Sequence, residues 1–80
     1  MRLDKFLKVS RLIKRRTVAK EMVDAGRVKI NGQLAKPATE VKPGDVLEIG
    51  FGAKQVRAQV VEIKEVVRAN EADTLYKLID

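Results

Sequence analysis

There is no cysteine in this 80-residue chain, no histidine and no tryptophan. Without thiols there is no disulfide framework and no thiolate metal site, a composition that fits a reducing compartment. No carboxylate pair stands with a nucleophile or a metal-binding cluster either, so neither enzymatic activity nor a cofactor is expected. Asp4 and Asp24 read instead as helix residues, one in a first turn and one in a last. The few aromatics, Phe6, Phe51 and Tyr76, do not form a platform on which single-stranded bases stack. No apolar run approaches the roughly 20 residues of a membrane span, and the opening MRLDKFLK does not read as a signal peptide. These absences predict a soluble cytoplasmic protein with no membrane partner. A chain this short makes one domain with a modest core, burying about 60–65% of its unfolded surface.

What the chain has is positive charge, unevenly placed. Residues 1–20 hold eight basic side chains, Arg2, Lys5, Lys8, Arg11, Lys14, Arg15, Arg16 and Lys20, against the single acid Asp4. Residues 21–80 hold nine basic and ten acidic residues, so the whole excess of +6 comes from the first quarter. A concentrated positive end makes a directed field, which points to a polyanion.

The stretch Arg16–Gly32 organises the rest. It reads as a loop arginine, a short helix capped by Thr17, a glycine stop at Gly26, a short strand and an Asn31-Gly32 turn. Ala19, Met22 and Val23 recur at i, i+3 and i+4 and give the helix one apolar face. Val28 and Ile30 flank Lys29, so the strand can bury one side.

Before it, Leu3 to Val9 predicts a helix with Leu3, Phe6 and Leu7 on one face and Asp4 in its first turn. Basic residues on one such helix could be no more than a solvated face. Between the helices, Arg11, Lys14, Arg15 and Arg16 crowd around Leu12 and Ile13, a repulsive cluster that an anion would relieve. The N–H groups near Thr17 to Ala19 could meet a phosphate as well.

After it, Gln33 to Lys36 is a return strand or its remnant, and Pro37 ends the pairing. Lys36 to Thr39 is a surface connection. Pro43-Gly44-Asp45 is a turn, Val46 to Ile49 a strand, and Gly50-Phe51-Gly52 a second turn. Gln55 to Ile63 predicts the longest strand, with a bulge or sheet edge where Val60-Val61 breaks the alternation. In the tail, Asn70 with Asp73 suggests a short helix carrying Ala72, Leu75, Leu78 and Ile79 as a stripe. Thr74 to Ile79 as a strand is the alternative.

Arg16-x-x-Ala19, Met22-Val23, Gly26-x-Val28-x-Ile30-Asn31-Gly32 and Lys42-Pro43-Gly44-Asp45 together resemble the S-four RNA-binding domain, named after a small-subunit ribosomal protein. The resemblance covers residues 1–50, with 51–80 completing the same domain as a long strand and a C-terminal segment. It implies an α+β fold, two short N-terminal helices packed on a small twisted antiparallel sheet, with RNA held on the helices and the loop between them. The RNA-binding residues it implies are the eight basic residues of the first quarter together with Arg27.

The opening MRLDKFLKVSRLIKRRT is similar to the small stand-alone bacterial ribosome quality control proteins of this family. That likeness implies large-subunit rRNA and a tRNA or peptidyl-tRNA as partners. It also implies obstructed large ribosomal subunits and a protein that extends stalled chains with C-terminal alanine. The related heat-shock ribosome-binding type carries a longer basic C-terminal extension, which argues for the quality-control type. A DNA-binding module remains a rival, since two short arginine-bearing helices can imitate a helix-turn-helix. Placing Lys14-Arg15-Arg16 between the helices suits phosphate and shape contacts better, which favours structured RNA. A monomer is the simplest expectation.

Overall fold

Leu3, Phe6 and Leu7 come round to one side of a helix, and in the computed structural model, which describes residues 1–79, all three are fully buried. Helix α1 spans Leu3–Val9. Its first N–H groups are satisfied by a distant loop: Leu3 N–H donates to the Thr39 carbonyl at 2.8 Å and Asp4 N–H to that of Pro37 at 3.1 Å. The Lys36–Thr39 connection is held by its own turn, the Lys36 N–H donating to Thr39 Oγ1 at 2.9 Å.

Helix α2 spans Arg16–Asp24 and buries Ala19 and Val23, with Met22 half-buried beside them. It starts one residue before the expected cap. Arg15 is the N-cap and no side chain caps the helix, because the Ala19 N–H already bonds the Arg15 carbonyl at 3.0 Å and takes Thr17 into the first turn. The other end is as expected. Gly26 sits at φ +75°, its N–H bonding the Val23 carbonyl and that of Arg27 the Met22 carbonyl, the two bonds of a Schellman ending.

Five antiparallel strands form one sheet: β1 Val28–Ile30, β2 Gln33–Leu34, β3 Val46–Phe51, β4 Lys54–Val60 and β5 Tyr76–Ile79, in the order β2-β1-β3-β4-β5. Asn31 and Gly32 both have positive φ, 51° and 82°, which a two-residue hairpin turn requires. Register places Val28 opposite Ile49 and Ile49 opposite Val56, and Ile30 opposite Leu47 and Leu47 opposite Ala58. These rows face α1 and α2 to make the core, where each large apolar side chain contributes about 1.5–3 kcal/mol by leaving water. On the other face Lys29, Glu48 and Arg57 are register partners of alternating charge.

The second half corrects three boundaries. β3 runs on through Gly50 to Phe51, which pairs Lys54, so the turn is at Gly52-Ala53. β4 is the longest strand but stops at Val60, where Val61 and Glu62 both donate to the Leu75 carbonyl. The tail is both of its alternatives in succession, a 3₁₀ helix over Ala69–Leu75 and then β5. Ala72 and Leu75 are buried as the stripe requires, but Leu78 is 61% exposed, because residues 76–79 extend along β4 instead of continuing a helix. No helix among the described residues is long and apolar enough to cross a membrane.

Candidate nucleic-acid interface

Both helices spend their apolar faces on the core, which leaves their basic residues outward. Arg2, Lys8, Arg11, Lys14, Arg15, Arg16 and Lys20 are all exposed, and Lys5 is half-buried. The loop between the helices is pinned from below. Ser10 is buried, its hydroxyl donating to the Leu7 carbonyl at 3.2 Å and accepting the Leu12 N–H at 3.4 Å. Ile13 is also buried, and its N–H returns to the same Leu7 carbonyl at 3.1 Å. With Ser10 and Ile13 fixed, Arg11, Lys14 and Arg15 have only solvent to enter.

Asp4 is the residue that sequence reading undervalues. It is 2% exposed, and its carboxylate collects four donors: Arg2 Nε at 3.2 Å and Nη2 at 3.3 Å, the Lys5 N–H at 2.8 Å and Arg16 Nη2 at 3.4 Å. A buried carboxylate is tolerable only with such partners. It joins the entry of α1 to the first turn of α2 and holds two arginines that still keep about half of their side chains in solvent (50% for Arg2 and 47% for Arg16). Its position beside Leu3 and three residues before Leu7 was the available signal. Arg2 therefore stands at the N-cap, not on the helix, and Arg16 is an anchored helix residue, not a loop one.

Lys5 is also engaged, forming an ion pair with Glu65 from the far end of the chain. The hydrogen bond and the charge of Lys5 together hold the Glu65 carboxyl below the usual carboxylate range. Lys8, Arg11 and Lys14 come together around a depression of about 240 Å³. Arg27 does not join them. It lines a separate hollow with Lys29, Glu48 and Gln55, and its carbonyl accepts the Gly50 N–H at 2.8 Å. The Ala19 N–H, expected to be open to a phosphate, is the one held by Arg15. Among the described residues no group of three or more potential metal-ligating side chains comes together.

The sequence model of the S4 domain matches residues 1–47. The chain is 57% identical over 79 residues to the RQC P-site tRNA stabilizing factor of Bacillus subtilis, covering 99% of this chain and 92% of that one. To the Heat shock protein 15 homolog of Haemophilus influenzae it is 35% identical over 78 residues, 96% of this chain and 60% of the other. The fold superposes on the trimeric Heat Shock Protein 15 of Vibrio cholerae with a TM-score of 0.91 at 36% identity, covering 99% of this chain and 81% of that one. The helices that carry the cation face thus fall inside the matched region, and the chain belongs to the S4 domain family and, within it, to the group named RQC P-site tRNA stabilizing factors.

Proposed function

We propose that this protein is a non-catalytic RNA-binding component of bacterial ribosome quality control. It binds obstructed large ribosomal subunits through rRNA and the peptidyl-tRNA they still carry, and supports a partner protein that adds C-terminal alanine to the stalled chain. The observation that carries the reading is near full-length similarity to factors named for stabilizing a P-site tRNA. An outward face of seven exposed cations on two adjoining helices, their N-caps and the loop between them supports it. Arg2 and Arg16 form one contact point on that face, Lys8, Arg11 and Lys14 a second, and Lys5, Arg15 and Lys20 add charge around them. Arg27 would meet RNA from the sheet side.

Sedimentation of the tagged protein from lysate tests this directly. It should travel with free large subunits bearing peptidyl-tRNA, and its loss should shorten alanine tails on stalled chains. Migration with small subunits or with DNA would sink the assignment. A heat-shock-type ribosome-binding role, which the 35% relative supports, requires binding without any effect on tail length.

A further inference from the structure

The depression at the C-terminal end of α1 is built unlike the rest of the cation face. Lys8, Arg11 and Lys14 rim it on the helix side, and Glu65, Val66 and Val67 close it from a segment of the chain's second half. Two features set it apart. Arg11 stands at φ +60°, in the left-handed region where glycine or asparagine would fit without strain. Val66 is 87% exposed while its neighbour Val67 packs on the core. An arginine kept where glycine fits better, and a valine held out beside three cations, both contribute little to the fold. Glu65, the acid at the rim, has its carboxylate on Lys5.

We propose that this depression is a subsite for one unstacked RNA nucleotide, with Lys8, Arg11 and Lys14 holding its phosphate and Val66 and Val67 lying against its base. Cations alone would accept any duplex backbone; an apolar wall beside them selects a base turned out of its stack. At about 240 Å³ the space is below the range of drug-sized pockets and has room for a single base, with its phosphate at the cationic rim. The proposal rests on the RNA-binding reading above and adds to it the form of RNA recognised at this corner.

Arg11→Gly tests it, because that change relieves the backbone while removing the charge. The probe is purified bacterial large subunits carrying peptidyl-tRNA, pelleted with the full-length variants at several salt concentrations, beside thermal melting. Arg11→Gly should melt no lower than the parent, bind about tenfold more weakly, and reduce the magnitude of the log K against log salt slope by about one. Val66→Asp should also weaken binding about tenfold, whereas Val66→Phe should bind at least as tightly with an unchanged salt slope. If the parent binds and Arg16→Ala weakens it while Arg11→Gly and Val66→Asp bind like the parent, the subsite is wrong and the RNA-binding reading stands. If the parent itself does not pellet with the subunits, both fall.

Discussion

Asp4 takes a carboxylate into a site only 2% exposed and surrounds it with two guanidiniums and a peptide N–H. Its effect on a neighbouring anion is therefore of two kinds with opposite signs. The charge repels a phosphate, while the hydrogen bonds fix Arg2 and Arg16 in one direction, so that less side-chain entropy is lost when they bind. If positioning wins, Asp4→Asn lowers affinity for large subunits although it raises the net charge by one, and it lowers stability by about 1–2 kcal/mol, because the two arginines it releases are half-exposed and water solvates them. Tighter binding in step with the added charge would reduce Asp4 to a structural residue. Arg16→Ala should weaken binding by about 1–3 kcal/mol, the scale of a charge-assisted hydrogen bond. It should also cost some stability through its 3.4 Å contact with Asp4, which melting beside pelleting will read. Glu65 has a pH signature. Its folded carboxyl lies below the unfolded value, so the Lys5 pair stabilises the protein above the ordinary carboxylate range, and that part is lost as pH falls through the lowered value. In acid melts of parent and Glu65→Gln, the two curves should converge below that point. A constant gap between them would mean that the pair does not act.

Two turns separated in sequence act as one element. Asn31 Nδ2 donates to Asp45 Oδ1 at 3.0 Å and Asn31 Oδ1 accepts the Val46 N–H at 2.9 Å, while Asp45 Oδ2 accepts the Lys42 N–H at 2.8 Å. The Asn31-Gly32 and Lys42–Asp45 motifs are thus halves of a single hydrogen-bonded corner between β1 and β3. Asn31→Ala loses both bonds and places a residue with no αL preference at φ 51°, so a loss of about 1–3 kcal/mol is expected by denaturant titration. Asn31→Gly, which keeps the backbone easy, should lose less. If both variants melt like the parent, the corner contributes nothing. Such motifs are legible in sequence because each states a local requirement: a positive φ at Gly26, Asn31 and Gly32, or an i, i+3, i+4 apolar face on a helix. What stays illegible is what a distant partner decides. Thr17 loses its cap because the helix begins at Arg16 beside Asp4. Residues 76–79 become a strand because β4 offers a free edge, and Lys5 meets Glu65 only once the tail folds back. The cation face was readable from charge alone, but its division into an Arg2–Arg16 pair, a Lys8–Arg11–Lys14 rim and a separate Arg27 required the fold.

At the scale of the whole molecule, the strands after β2 follow one another in space as they do in sequence, so β3–β4 pairs across a two-residue turn. The helical corner is different. Helix α1 completes its first turn only against the carbonyls of Pro37 and Thr39, and Val41 N–H returns to the Met1 carbonyl at 2.9 Å. Closing that span carries an entropic cost of roughly 3 kcal/mol, against far less for a hairpin turn. The chain should therefore cross its folding barrier with the β3–β4 ribbon formed and α1 still loose. In stopped-flow chevrons, Leu3→Ala should accelerate unfolding and hardly change the folding rate, whereas Ile49→Val should slow folding. The reverse pattern would place the nucleus in the helices. With the ribbon as nucleus, the cationic corner is the last part to close and the first to open, and native-state hydrogen exchange at Leu3 and Asp4 should report openings that leave the amides of β3 protected.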